Sequence, residues 1–389
     1  MVIARLLAVG LLSATLGGTP AQGGRLPASK LVVEAMHLKW PDGSWVESGG
    51  ENDPTDIYIV DPGGKHLRNL THDAWTNYLI DRLPNGRILY ESVPSDRMRT
   101  GRSRIFSIKS DGSGRRQLAS GKGQLLPKLS PDGRRILFVR GRWLYVMRSD
   151  GTNNTPLART SFGPQAPEGY DASWSPDGKR IAFVRDFETR KAYSIHTALY
   201  VINADGTGLR RLTALRPPVK TSNPEWSPDG REIGFDEYRI SPTTFSTPSD
   251  GTYVMRADGT HLKHLKQLNS AADWFWLPND RIVYDPGNGR VRSIAADGTG
   301  KPQRLHGPIR IGGHVRLTSG RWAAFVGPGP HGSWPLSPDG KWIAVTPGEG
   351  STRAVRSLWI AHLDGTHLRL VTRKICCLAW SYNIEWAGK

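Results

Sequence analysis

The sequence predicts an all-β protein, a propeller of four-stranded antiparallel blades. Three observations lead there. A Pro-Asp/Asn-Gly word recurs along the chain, a second Asp-Gly word alternates with it, and short apolar runs separate the two. The first word appears at Pro84-Asn85-Gly86, Pro131-Asp132-Gly133, Pro176-Asp177-Gly178, Pro228-Asp229-Gly230, Pro278-Asn279-Asp280 and Pro338-Asp339-Gly340. Proline presets φ for the second turn position, Asp or Asn bonds nearby backbone, and glycine accepts a positive φ. The second word appears at Asp111-Gly112, Asp150-Gly151, Asp205-Gly206, Asp258-Gly259, Asp297-Gly298 and Asp364-Gly365, with Asp61-Pro62-Gly63 as a looser first copy. Asp-Gly between apolar runs is a hairpin signal. Successive copies lie 39 to 67 residues apart, around the period of a propeller blade. One such meander cannot bury both its faces, so copies must pack on each other in a ring.

Taken in order, residues 1–24 read as a secretory signal. Arg5 is followed by Leu6-Leu7-Ala8-Val9-Gly10-Leu11-Leu12 and by small residues up to a cut after Ala21. The apolar run is too short to predict a membrane span, and no cysteine lies near the cut to carry a lipid. Residues 25–54 read as a lead-in, with Pro41-Asp42-Gly43 resembling an inner turn. Residues 55–389 read as one propeller domain. Ile57 to Val60 and Leu67 to Thr71 form an outer hairpin without an inner half. Leu378 to Trp386 supplies an inner start without an outer half, so the chain ends should pair and remove the exposed edges. The count gives seven blades. The segment between Leu305 and Leu336 holds an extra hairpin, His314 to Val326, which would make eight or form an insertion.

The words Trp174-Ser175-Pro176-Asp177-Gly178-Lys179-Arg180-Ile181-Ala182-Phe183 and Leu199-Tyr200-Val201-Ile202-Asn203-Ala204-Asp205-Gly206-Thr207 resemble the PD40, or WD40-like, repeat of TolB-type β-propellers. The resemblance covers about residues 55 to 387 and implies six blades where the turn count gives seven. Its relatives include protein-binding periplasmic propellers, peptidase propellers and oligogalacturonate lyase, so it implies a fold and leaves the activity open.

The chain has 389 residues, 44 glycines, 28 prolines and 38% hydrophobic residues, which suits many short strands. Its formal charge of +17 should attract acidic proteins, anionic envelope polymers, anionic headgroups or nucleic acid, or serve solubility alone. An export signal argues against nucleic acid, and no base-reading motif occurs. The only cysteines, Cys376 and Cys377, are adjacent; they read as buried strand thiols, since a bond between them would clamp no loop. There is no Gly-x-Ser-x-Gly elbow, no His-Glu-x-x-His and no room for a hydrolase domain. His261 and His264 read as surface strand residues turned to opposite faces.

A residue that recurs in most blades serves packing, so Trp174, Trp226, Trp274 and Trp380 are assigned to structure. Function is expected in the loops that differ between blades. These carry Arg97, Arg99 and Arg102; Arg190, Tyr193 and His196; Tyr238 and Arg239; and His314, His331 and Trp334. Arginine with interleaved aromatics recognises carboxylates, phosphates or sugar rings. The expected function is an exported, monomeric, noncatalytic binding scaffold for a protein or an anionic envelope polymer, acting through one channel mouth. No cofactor, metal set or catalytic set is selected. The alternative is a carbohydrate-active enzyme of the oligogalacturonate lyase kind, using a channel metal or histidine.

Overall fold

A computed structural model describes residues 30–36, 54–73, 75–94, 102–122, 125–160, 172–188, 195–215, 219–239, 249–268, 274–276, 280–284, 292–304, 314–316, 322–324, 342–345, 358–362, 369–372 and 384–387. Their regular structure is strand, with one 3₁₀ turn at Lys266–Leu268. Sheet 1 contains β1 (Lys30–Met36), β2 (Thr55–Val60) and β3 (Arg68–Asn69). Sheet 2 contains β4 (Thr76–Arg82), β5 (Ile88–Val93), β6 (Arg102–Ile108) and β7 (Arg116–Lys122). Sheet 3 contains β8 (Lys128–Leu129), β9 (Arg135–Arg140), β10 (Trp143–Arg148) and β11 (Thr155–Arg159). Sheet 4 contains β12 (Ala172–Trp174), β13 (Arg180–Glu188), β14 (Ile195–Asn203) and β15 (Arg210–Arg211). Sheet 5 contains β16 (Val219–Trp226), β17 (Glu232–Arg239), β18 (Ser249–Arg256) and β19 (Lys263–Leu265). Sheet 6 contains β20 (Trp274–Trp276), β21 (Arg281–Tyr284), β22 (Arg292–Ala295) and β23 (Gln303–Arg304). A two-stranded sheet follows, β24 (His314–Arg316) with β25 (Trp322–Ala324). A three-stranded sheet comes next, β26 (Trp342–Val345), β27 (Leu358–His362) and β28 (Arg369–Thr372). The last strand, β29 (Ile384–Ala387), joins sheet 1 beside β1.

Sheets 2 to 6 are antiparallel meanders in chain order, as the alternating turn words require. The chain ends do pair, Lys30 opposite Ala387 and Val33 opposite Ile384. The lead-in assignment needs correction at this point. Lys30–Met36 is the second strand of sheet 1, hydrogen-bonded to both β2 and β29, so sheet 1 takes three strands from one end of the chain and one from the other. Leu31, Val32 and Val33 are buried on both faces, and such a strand reads as an unbroken apolar run without an inner turn word beside it. The extra hairpin at His314 is present as the separate two-stranded sheet.

Each core cluster belongs to two neighbouring sheets. Ile57, Ile59, Leu79, Tyr90 and Phe106 join sheets 1 and 2, and Ile105, Leu129, Ile136 and Phe138 join sheets 2 and 3. Phe183 with Leu144, Phe235 with Leu199, and Ile282 with Val254 continue the series to sheet 6. Leu31, Val60, Trp342 and Ile360 join sheet 1 to the three-stranded sheet. Burying each such side chain contributes about 1.5–3 kcal/mol, so the sheets are held face to face by apolar contact.

Polar joints at both turns fix the spacing of those faces. At the inner turn, Ser175 Oγ bonds Asp177 and accepts the Arg180 N–H, and Gly178 at φ +67° completes the reversal. Arg135 of sheet 3 donates to the Gly178 carbonyl at 2.6 Å, and its guanidinium lies 5.1 Å from the Trp174 ring. Arg180 of sheet 4 repeats this on Gly230 at 3.3 Å and on Trp226 at 4.5 Å. At the outer turn, Arg68 donates to the Ser110 carbonyl, Arg210 to the carbonyls of Ala257 and Asp258, and Lys263 to that of Asp297. In each case a cation of one sheet holds a carbonyl of the next.

The outer-turn glycine also abuts the preceding sheet. A Cβ on Gly64, at φ +76°, would sit 1.8 Å from the Val371 carbonyl oxygen, directly at the closure. Gly300, at φ +77°, has nothing within 4 Å. Gly300→Ala should therefore cost only the backbone term, about 1–2 kcal/mol. Gly64→Ala should cost a further ~1–3 kcal/mol of overpacking, read as a larger fall in the urea midpoint. Equal midpoints for the two variants would mean that the ring does not close through this contact.

Candidate functional site

The strand ends bring several of the sequence-selected residues to one end of their sheets. Arg102 opens β6 and is exposed; His196 lies near the start of β14; Tyr238, half-buried, and Arg239 close β17; and His314 opens β24. The side-chain placements of His196, Arg239 and His314 lie outside the described set, as do residues Arg97, Arg99, Arg190, Tyr193, His331 and Trp334. Of the histidine pair placed together on a strand, His264 lies on β19 and stacks on Tyr253 at 4.6 Å. His261 lies before the strand, at φ +57°.

A second group was not legible as a motif. The residue two places before the Ser or Leu that opens each inner turn is Asp81, Lys128, Ser173 and Glu225 in sheets 2 to 5. The turn word that follows repeats, whereas this position differs in each of these four sheets. All four lie on the first strands, β4, β8, β12 and β16, at the sheet edge nearest the ring axis, where first strands of neighbouring sheets touch.

Glu225 is exposed to solvent, although neighbouring protein atoms crowd its carboxyl group. Burial raises its pKa to about 7, the Lys128 ammonium lowers it and the Asp236 carboxylate raises it. Lys128 is buried, and its backbone carbonyl accepts the Trp174 indole N–H at 3.2 Å. Burial likewise lifts Asp81 to about 6, against a hydrogen bond from the Arg82 N–H. Ser173 Oγ is buried without a protein hydrogen-bond partner. This tier can hold or exchange protons near neutrality and can present both signs of charge to a ligand.

Other perturbed carboxylates have a structural job. Glu34, Glu91 and Asp236 occupy the same place on the second strands of sheets 1, 2 and 5, and each reaches the first strand, or the approach to it, of the following sheet. Glu34 accepts the Leu79 N–H at 2.9 Å. Glu91 accepts the N–H groups of Leu125 at 2.5 Å and Leu126 at 3.1 Å, and Asp236 accepts the Trp274 indole N–H at 2.8 Å. Burial pushes Glu91 up to about 7 although both backbone bonds oppose the rise. These are latches between sheets.

One inner joint reverses its charge. Glu232 stands in sheet 5 where Arg180 stands in sheet 4, and Asp280, at φ +58°, stands where the next turn has glycine. The Asp229 N–H donates to Asp280 at 3.3 Å. Burial and then the Asp229 charge raise both Glu232 and Asp280. Among the described residues no set of three or more His, Cys, Asp or Glu side chains is placed to hold a metal ion, and no helix is long and apolar enough to cross a membrane.

A ring of antiparallel four-stranded sheets closed through its own chain ends defines a β-propeller. Comparison with known proteins narrows the class. No family model matches the chain. An uncharacterized peptidase, YuxL, of Bacillus subtilis is 26% identical over 227 residues, covering 57% of this chain and 29% of its own length. An uncharacterized protein of Agrobacterium fabrum, Atu1656, is 32% identical over 198 residues, covering 46% of this chain and 62% of its own. The chain thus spans less than two thirds of these relatives. The Tol-Pal system protein TolB of Anaeromyxobacter dehalogenans is 29% identical over 177 residues, 44% of this chain and 37% of its own. Among solved structures, oligogalacturonate lyase from Vibrio parahaemolyticus superposes with a TM-score of 0.51 at 10% identity, over 89% of this chain and 86% of that one. The chain folds as a β-propeller and is similar in sequence to TolB over part of its length, and a likeness at 10% identity speaks for fold alone.

Two titrations check these assignments. Glu91 has a raised folded pKa, so it favours the folded state fully below pH ~4.5, and that contribution is lost as pH rises towards 7. Unfolding free energy should fall by about 3 kcal/mol over that window from Glu91 alone. Glu91→Gln should be less stable in absolute terms yet show a shallower fall; an unchanged slope would contradict the burial argument. For Glu225, removing the nearby ammonium in Lys128→Met should raise the carboxyl pKa further, followed by carbon NMR of labelled glutamate. An unchanged pKa would place Lys128 too far away to matter.

Proposed function

We propose that the protein is an extracytoplasmic, noncatalytic binding scaffold that holds a protein or an anionic envelope polymer at the propeller mouth formed by the second-to-third strand connections. One observation carries this reading. Arg68, Arg135, Arg180, Arg210 and Lys263 are engaged on carbonyls of the next sheet. The cations peculiar to single sheets that stand exposed at that mouth include Arg102 and Arg159. Positive charge that does not repeat, held at one end of a rigid ring, is suited to an acidic partner. The sequence likeness to a Tol-Pal system protein supports a binding role, and the leader up to Ala21 supports export.

Immobilised mature protein should retain one or a few components of an envelope extract at low salt and release them as salt rises. The combined variant Arg97→Glu, Arg99→Glu, Arg102→Glu should retain at least about tenfold less. Equal retention by both proteins would remove this mouth from the reading. Amino-terminal sequencing of the exported protein should begin at Gln22.

A carbohydrate-active enzyme is the second reading, favoured by Asp81 and Glu225 titrating near neutrality on the axial tier. It requires turnover of an oligouronide that Glu225→Gln abolishes. Product formation in the wild type with none in that variant would replace the scaffold reading.

A further inference from the structure

Sheet 3 differs from its neighbours at the mouth. Its second and third strands are joined by residues 141–142, whereas the corresponding connections span 94–101, 189–194 and 240–248 in sheets 2, 4 and 5. The chain turns there through Gly141 at φ +61°, and the next residues are Arg142 and Trp143.

Trp143 is 41% exposed, while Trp174, Trp226 and Trp342 are buried. The other exposed large apolar side chains among the described residues, Leu209 and Leu262, follow outer turns at the opposite end. Trp143 has no counterpart: the matching third-strand position is Arg104 in sheet 2, Ala198 in sheet 4 and Gly251 in sheet 5. An indole here therefore does not serve the repeat.

Its neighbours follow from the register. Trp143 lies directly opposite Arg140 on β9 and directly opposite Arg159 on β11. Directly opposed residues in an antiparallel sheet share a face, so the three side chains form one row, arginine, tryptophan, arginine. Arg140 is anchored: its guanidinium lies 4.3 Å from the Tyr145 ring and donates to Asn154 at 3.1 Å. Arg159 is exposed at the end of its strand, and Arg142 is exposed beside the turn.

We propose that this row is a binding shelf for an acidic pyranose, a uronic acid residue of an anionic polysaccharide. The indole face supplies a flat apolar surface for the ring C–H groups. The Arg159 guanidinium, with its planar fork of donors, pairs with the carboxylate. The two-residue connection 141–142 puts no long loop of sheet 3 itself over this row. One aromatic platform suits one sugar ring, whereas single-stranded nucleic acid is held by successive platforms. The inference rests on the reading of this mouth as a surface for an anionic polymer and names the polymer's chemistry and its contact.

The test is calorimetric titration of full-length mature protein with a galacturonic acid oligomer, its neutral galactose counterpart and an oligothymidylate. The wild type should bind the uronide, bind it more weakly as salt rises, and bind the neutral oligomer far less. Trp143→Ala should weaken uronide binding about tenfold or more, Trp143→Phe should restore part of it, and Arg159→Ala should weaken it about tenfold while flattening the salt dependence. Melting temperatures of the three variants identify any that has lost the fold. Uronide binding that is equal in wild type and both alanine variants would overturn the shelf while leaving the anionic-polymer reading intact. No uronide binding by the wild type, with envelope protein still retained in the extract experiment, would overturn both the shelf and the polymer half of that reading. Oligothymidylate binding that Trp143→Ala abolishes, without uronide binding, would overturn the sugar assignment.

Discussion

A sheet of four short strands cannot bury two faces alone, and everything else in this molecule answers that constraint. Apolar contact draws neighbouring sheets together, but it has no direction and would let them slide. The hydrogen bonds that stop the sliding run from a cation of one sheet to a backbone carbonyl of the next, Arg135 to Gly178 and Arg210 to Asp258 among them. Such a bond involves a full charge, so it is stronger than a neutral one, and it satisfies a turn carbonyl that the ladders leave free. Stacking of the same guanidinium on Trp174 or Trp226 adds a second fixed distance.

This arrangement bears on the meaning of the +17 charge. Because the acceptors are carbonyls, these joints consume no acidic partners, and a chain built this way accumulates positive charge for structural reasons alone. Net charge is therefore a poor guide to a ligand here, and position is a better one. Arg142 and Arg159 at the mouth stand out by location, and Trp143 between the sheet 3 arginines stands out by exposure. The same reasoning separates the carboxylates. Glu91 is raised because it is buried in a latch between sheets, whereas Glu225 is raised on a first strand while still exposed to solvent. A perturbed carboxylate marks a candidate site only once the bonds it makes have been accounted for.

The joint between sheets 5 and 6 departs from the pattern at both partners. Glu232 replaces the arginine and Asp280 replaces the glycine, so two acids meet where a cation and a carbonyl meet elsewhere. Sheets 5 and 6 are instead held by Trp274 on Asp236, by Trp276 on the Glu225 carbonyl and by the apolar cluster of Leu265, Ile282 and Tyr284. The glutamate at this joint lies in the same sheet as Glu225, on the neighbouring strand.

The turn words by themselves determined a great deal: hairpins at Pro-Asp-Gly and Asp-Gly, the meander order of sheets 2 to 6, and closure through the chain ends, because turn chemistry is local and repetition reveals it. The lead-in strand Lys30–Met36 escaped, since a strand buried on both faces carries no alternation and no turn word marked its partner. Of the candidate site, the sequence singled out loop residues, of which Arg102, His196 and Arg239 lie at or near strand ends. It could not show that Asp81, Lys128, Ser173 and Glu225 occupy one tier, or that Trp143 stands in a row with Arg140 and Arg159. Those relations exist only across strands and between sheets. Local propensity sets where a chain turns, and only the packed ring decides which residues then meet.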